Sequence, residues 1–86
     1  MSQYAITFAR SARKELEALN RPLVARVLSR IETLGREPRP TGCRKLIGQG
    51  NLWRIRVGDY RVIYEIDNGR QTVDISTIRH RSDAYR

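Results

Sequence analysis

Tyr4, Ile6 and Phe8 alternate with Ala5 and Thr7, the period-two pattern of a short strand. From Ala9 the period changes. Ala12, Leu16 and Leu19 recur at helical spacing, with Arg13, Lys14, Glu15 and Glu17 between them. Asn20 and Pro22 then interrupt and restart the chain. Asn20 suits a helix N-cap, and proline is tolerated in a first helical turn. In the second helix, Val24, Val27, Leu28, Ile31 and Leu34 form one apolar stripe that leaves Arg26, Arg30 and Glu32 outside it. Gly35 follows as a natural stop.

The stretch from Arg36 to Gly42 contains Pro38, Pro40 and Gly42 and reads as a loop. Arg44-Lys45-Leu46-Ile47-Gly48 adds a turn or a short strand. Three strands are predicted after it: Trp53 to Val57, Tyr60 to Ile66, and Thr72 to Ile78. Gly58-Asp59 joins the first two as a two-residue hairpin turn, and Asp67-Asn68-Gly69-Arg70 makes the next turn. The order β-α-α-β-β-β predicts an α+β fold, with residues 1–86 forming a single domain. Two N-terminal helices pack on one face of a small, mostly antiparallel four-stranded sheet, and the other face is left free.

A two-residue turn dictates the register of the hairpin. Val57 faces Tyr60, Arg56 faces Arg61, Ile55 faces Val62, Arg54 faces Ile63 and Trp53 faces Tyr64. Alternation sorts Trp53, Ile55, Val57, Tyr60, Val62 and Tyr64 onto a core face. Arg54, Arg56, Arg61, Ile63 and Glu65 share the opposite one. Like charges placed directly across a ladder destabilise it. An anion held between the arginines would offset that cost, whereas a purely structural sheet gains nothing from the arrangement. The segment Arg79-His80-Arg81-Ser82-Asp83-Ala84-Tyr85-Arg86 adds further arginines, the only histidine and a tyrosine directly after the last strand. Val73, Ile75 and Ile78 do not keep one parity, so alternation leaves the face of Arg79 open.

Charge strengthens this reading. The 86 residues carry a formal net charge of +8, and of the 17 basic residues only Lys14 and Lys45 are lysines. Arginine stays charged in any protein environment and grips phosphate with a planar fork of donors. So basic a domain points to an acidic partner, nucleic acid first, although a solvated basic surface accounts equally well for net charge alone. Cys43 is the sole cysteine, which excludes an internal disulfide and a cysteine-based zinc site. The Met-Ser-Gln-Tyr start lacks a signal pattern. No apolar run approaches the roughly 20 residues needed to span a bilayer. A cytoplasmic protein that does not engage membranes is the expectation.

Three blocks then become recognisable. Gly42-Cys43-Arg44-Lys45-Leu46-Ile47-Gly48, Leu52-Trp53-Arg54-Ile55-Arg56-Val57-Gly58-Asp59-Tyr60-Arg61-Val62-Ile63-Tyr64 and Ile75 to Tyr85 resemble the RelE family of toxins in the RelE/ParE superfamily, and the resemblance covers nearly the whole chain. It implies a RelE-like fold and the toxin of a toxin–antitoxin system. The implied activity is that of a ribosome-dependent mRNA endonuclease (an mRNA interferase) that cuts codons in the A site and so inhibits translation. Its chemistry uses neither metal nor cofactor: the ribose 2′-OH attacks the neighbouring phosphate, leaving a 2′,3′-cyclic phosphate and a 5′-OH.

By the same resemblance, Arg54 and Arg56 occupy two strand positions where the family typically has lysines. Arg61 matches a phosphate-binding arginine, Arg79 a C-terminal arginine proposed as general acid, and Tyr85 a functional tyrosine. Arginine is a poor base, so acid–base duty is assigned to His80, with Arg56, Arg61 and Arg79 as phosphate clamps. Lys45 and Arg81 join Arg54 as further RNA-binding positions. The implied partners are mRNA, the ribosome and a RelB-like antitoxin whose complex with the toxin binds its own operator DNA. Two other readings stand beside this one: a ParE-type inhibitor of DNA gyrase, and a non-catalytic RNA- or ribosome-binding module.

Overall fold

The computed structural model describes residues 3–48 and 50–82. Strand β1 (Ala5–Phe8) leads into helices α1 (Arg10–Glu17) and α2 (Arg21–Leu34). Strands β2 (Arg44–Lys45), β3 (Leu52–Val57), β4 (Tyr60–Asp67) and β5 (Thr72–His80) follow. Among the described residues the strands form one five-stranded sheet in the order β1-β5-β4-β3-β2. The two helices precede most of the sheet, as the hydrophobic pattern predicts. The four-stranded, mostly antiparallel expectation needs correction in two respects. β2 is a fifth, edge strand in which Arg44 pairs with Arg54 and Lys45 with Trp53, too short for alternation to reveal it. The sheet is also mixed, because β1 runs parallel to β5. Parallel neighbours need a long crossover, and everything from α1 to β4 supplies it.

One core lies between α2 and the sheet. Val27, Ile31 and Leu34 of α2 are buried with Ile55, Val57, Val62, Tyr64 and Ile66, and with Val73, Ile75 and Ile78 of β5. Burying each such side chain contributes about 1.5–3 kcal/mol relative to leaving it in water. Asn20 caps α2, its side chain accepting the Leu23 amide at 3.0 Å. Gly35 ends α2 with an ordinary helical φ of −64°, so a left-handed stop is not the reason for glycine here. A Cβ at Gly35 would stand 3.1 Å from the Tyr4 carbonyl. The Tyr4 amide donates to the Gly35 carbonyl at 2.6 Å, and glycine permits that close approach.

The proline loop is tied to the sheet. The buried Tyr64 hydroxyl donates to the Pro38 carbonyl at 2.7 Å, and Arg39 lies over the Trp53 ring, 4.9 Å from its centroid. Burial, and after it the neighbouring Cys43, push the Tyr64 phenol far above its usual pKa.

β1 stops opposite Ile75 while β5 continues to His80. The open edge beyond is served by α1, whose Ala12 is fully buried. Ser11 Oγ donates to the Ser76 carbonyl at 3.4 Å, and the Glu15 carboxylate accepts the Ile78 amide at 2.9 Å. Backbone groups that would otherwise lack a strand partner are thereby satisfied.

Candidate functional site

The hairpin has the register that its two-residue turn demands, with Arg56 opposite Arg61 and Arg54 opposite Ile63. Gly58 has φ of +60°, and Asp59 is not among the positive-φ residues. This matches a type II′ turn, which calls for glycine at its first position. Val57, Val62 and Ile55 are buried against the helices, so the arginines point the other way.

β5 extends the row. Tyr64 pairs with Ile75, and the next pair is Ile63 with Thr77, so Ser76 is an extra residue in the ladder. It forms a β-bulge, and its hydroxyl donates to the Ile63 carbonyl at 3.0 Å. Beyond the bulge Ile78 faces the core, and Arg79 pairs with Arg61. The parity break between Ile75 and Ile78 is this bulge. Arg56, Arg61 and Arg79 therefore stand side by side on three adjacent strands. Arg61, the middle one, is only 8% exposed. Arg54, half-buried, lies in the next row beside Arg44 of β2.

Arg79 Nε donates to a Glu15 carboxylate oxygen at 2.8 Å. The Arg81 amide donates to the Asp59 carbonyl at 2.7 Å, which docks the end of β5 onto the hairpin turn. Arg56, Arg61, Arg81, Asp59, Tyr60 and Ser82 line a cleft of about 430 Å³ there. Three arginines against one aspartate give the cleft an excess of positive charge that suits an anion.

Of the expected site residues, Arg54 and Arg79 stand in the arginine rows without lining this cleft, and His80 and Lys45 belong to the other face. His80 pairs with Tyr60, on the face opposite the arginines, and its ring meets Tyr60 edge-on at 5.3 Å. Its Nδ1 lies 2.9 Å from the Ser82 hydroxyl and 3.2 Å from the Ser82 amide nitrogen. Lys45 pairs with Trp53 and so also belongs to the other face. Tyr85 lies outside the described residues. Arg44 and Glu15 were not singled out from the sequence: Arg44 becomes visible only once β2 pairs with β3, and Glu15 only once α1 lies along β5. Among the described residues no group of three or more histidine, cysteine, aspartate or glutamate side chains is gathered as for a metal, and no helix is long and apolar enough to cross a membrane.

The family model for the ParE toxin of the type II toxin–antitoxin system parDE matches residues 6–85. The chain belongs to the RelE/ParE superfamily of toxins. Toxin RelG of Mycobacterium tuberculosis is similar at 36% identity, over 96% of this chain and 97% of its own length. The archaeal RelE in complex with RelB from Pyrococcus horikoshii superposes with a TM-score of 0.82 at 31% identity, over 92% of this chain and 96% of the other. The isolated Escherichia coli RelE toxin, 20% identical, has the same fold with a TM-score of 0.79 over 95% of both chains. As a RelE/ParE superfamily member, this protein is the toxin of a type II toxin–antitoxin system.

Proposed function

We propose that this toxin is a metal-independent endoribonuclease that cleaves mRNA in the ribosomal A site and is neutralised by a RelB-like antitoxin. The observation that carries the reading is the row Arg56–Arg61–Arg79, with Arg61 nearly buried in its middle. Attack of a ribose 2′-OH on the adjacent phosphorus breaks the P–O5′ bond. The products are a 2′,3′-cyclic phosphate and a 5′-OH, and one proton passes from O2′ to O5′ through the site. Charge builds on the non-bridging oxygens in the transition state. Arginines already fixed on a sheet stabilise it without reorganising, the main source of catalysis in such a site.

In this reading Arg56, Arg61 and Arg79 are phosphate clamps at and beside the scissile phosphate, and Arg54 and Arg81 hold flanking nucleotides; Lys45, on the other face of the sheet, takes no part. Tyr85 stacks on a base. His80 points away from the arginine row, so proton transfer by His80 requires the end of β5 to leave its pairing with Tyr60 and twist once substrate is bound. The RelB partnership draws support from RelE–RelB complexes among the similar structures, at 31% identity for the Pyrococcus horikoshii pair. An antitoxin complex that binds its own operator and a cytoplasmic location belong to the same proposal.

The ParE name of the matching family model favours a second reading, inhibition of DNA gyrase. Primer extension on mRNA after brief induction separates the two. New 5′ ends inside translated codons are expected. Growth arrest without such ends, accompanied by DNA-damage signalling, would refute cleavage and support gyrase.

A further inference from the structure

We propose that Glu15 of α1 is a positioning residue for Arg79, an inference that rests on the phosphate-binding role assigned to Arg79 above. The observation is a division of labour between the two oxygens of one carboxylate. Oε1 accepts the Ile78 amide at 2.9 Å, and Oε2 accepts the Arg79 Nε–H at 2.8 Å. The first contact closes the β5 edge that β1 abandons after Phe8. It needs an acceptor but no charge. Ser11, one turn earlier on the same helix, serves the same edge with a neutral hydroxyl donating to the Ser76 carbonyl. The second contact is charge-assisted and fixes the plane of a guanidinium.

Geometry gives this second contact a consequence for the site. Arg79 projects from the strand beside Arg61, and a like charge alongside pushes a flexible side chain outward into solvent. Its side chain is 51% exposed, so packing alone does not hold it. Glu15, at 24%, is the less exposed partner. A carboxylate on Nε turns the edge formed by the two terminal nitrogens away from α1, and that edge is the one that forks onto a phosphate. Glu15 also offsets part of the repulsion between Arg61 and Arg79 without standing in the cleft lined by Arg56, Arg61 and Arg81. α1, remote from the hairpin turn, thereby supplies one residue to the working of the arginine row.

Glu15→Gln tests this. Glutamine keeps an oxygen for the Ile78 amide but removes the charge that holds Arg79. Cleavage of mRNA on translating ribosomes should fall about 10–100-fold at saturating substrate, the range for loss of an orienting contact, with KM and melting temperature close to wild type. In an Arg79→Ala background the same substitution should change the rate less than about 2-fold, since groups acting through one another are non-additive. Full additivity, or an unimpaired single variant, overturns the proposal.

A nuclear magnetic resonance measurement of the Arg79 Nε–H and Ile78 amide signals reads the contact without any cleavage. In the wild type both should exchange slowly with water. In Glu15→Gln only the Arg79 signal should become fast. If the Arg79 signal exchanges at the same rate in both proteins, the positioning role fails whatever the activity. If the wild type cuts no mRNA while the Arg79 signal responds as stated, the cleavage reading fails and the Glu15–Arg79 coupling stands.

Discussion

Replacing Arg61 with glutamine should change how RNA binding responds to salt, by an amount that the arrangement of the site allows one to work out. Four arginines converge on one end of the sheet: Arg56, Arg61 and Arg79 in a row, and Arg81 at the cleft that Arg56 and Arg61 line. If each neutralises one phosphate of single-stranded RNA, log K falls with log salt at a slope of about −2.8, at ~0.7 per contact. Losing one contact brings the slope to about −2.1. Between 50 and 200 mM salt, wild-type affinity then drops about 50-fold and that of Arg61→Gln about 20-fold. Glutamine retains most of the stem that fills the buried position. The assay is fluorescence anisotropy of a short 2′-O-methyl RNA, which lacks the attacking hydroxyl and survives the titration. Arg13→Gln, on the exposed surface of α1, is the control and should keep the wild-type slope. Parallel lines for wild type and Arg61→Gln would refute the reasoning, as would an equal loss of slope in the control: the arginines would then act only through total charge.

Other consequences follow from the same geometry. Removing Arg61 or Arg79 should abolish growth arrest on induction, whereas removing Arg13 or Arg36 should leave it, as colony counts will show; four equal outcomes contradict a localised site. Ile31→Ala, at a position 1% exposed, should cost about 2–5 kcal/mol in urea denaturation. Tyr64 has a raised pKa, so the folded state holds its proton more tightly than the unfolded chain does. Its contribution to stability is complete below the unfolded value of about 10 and declines as pH rises beyond it. Tyr64→Phe should lose that part of the alkaline decline, seen as a flatter stability profile above about pH 10.

The hairpin was legible because two independent signals agree there. Gly58-Asp59 restricts the turn, and Trp53, Ile55, Val57, Val62 and Tyr64 alternate on either side of it, so one register satisfies both. The same logic has no purchase on Arg44-Lys45: two residues carry no period, and the strand exists only because β3 offers its edge. Arg79 and His80 illustrate a different limit. Their adjacency in sequence groups them, but neighbours on a strand point to opposite faces. One joins the arginine row and the other meets Tyr60. Glu15 reads as an ordinary polar residue on an amphipathic helix, since nothing local tells that its helix replaces a strand along β5.

The bulge at Ser76 has a consequence for how this strand tolerates change in length. β5 carries one residue more than its ladder with β4 requires, and the spare sits between the Ile75 and Thr77 pairs. The two halves of the strand therefore keep separate phase. Losing Ser76 would restore an unbroken ladder and still leave Arg79 across from Arg61. Losing Ile78 instead would set Arg79 against Val62, on the helix side, and bring His80 opposite Arg61. A single codon downstream of the spare residue thus decides whether a guanidinium or an imidazole completes the row.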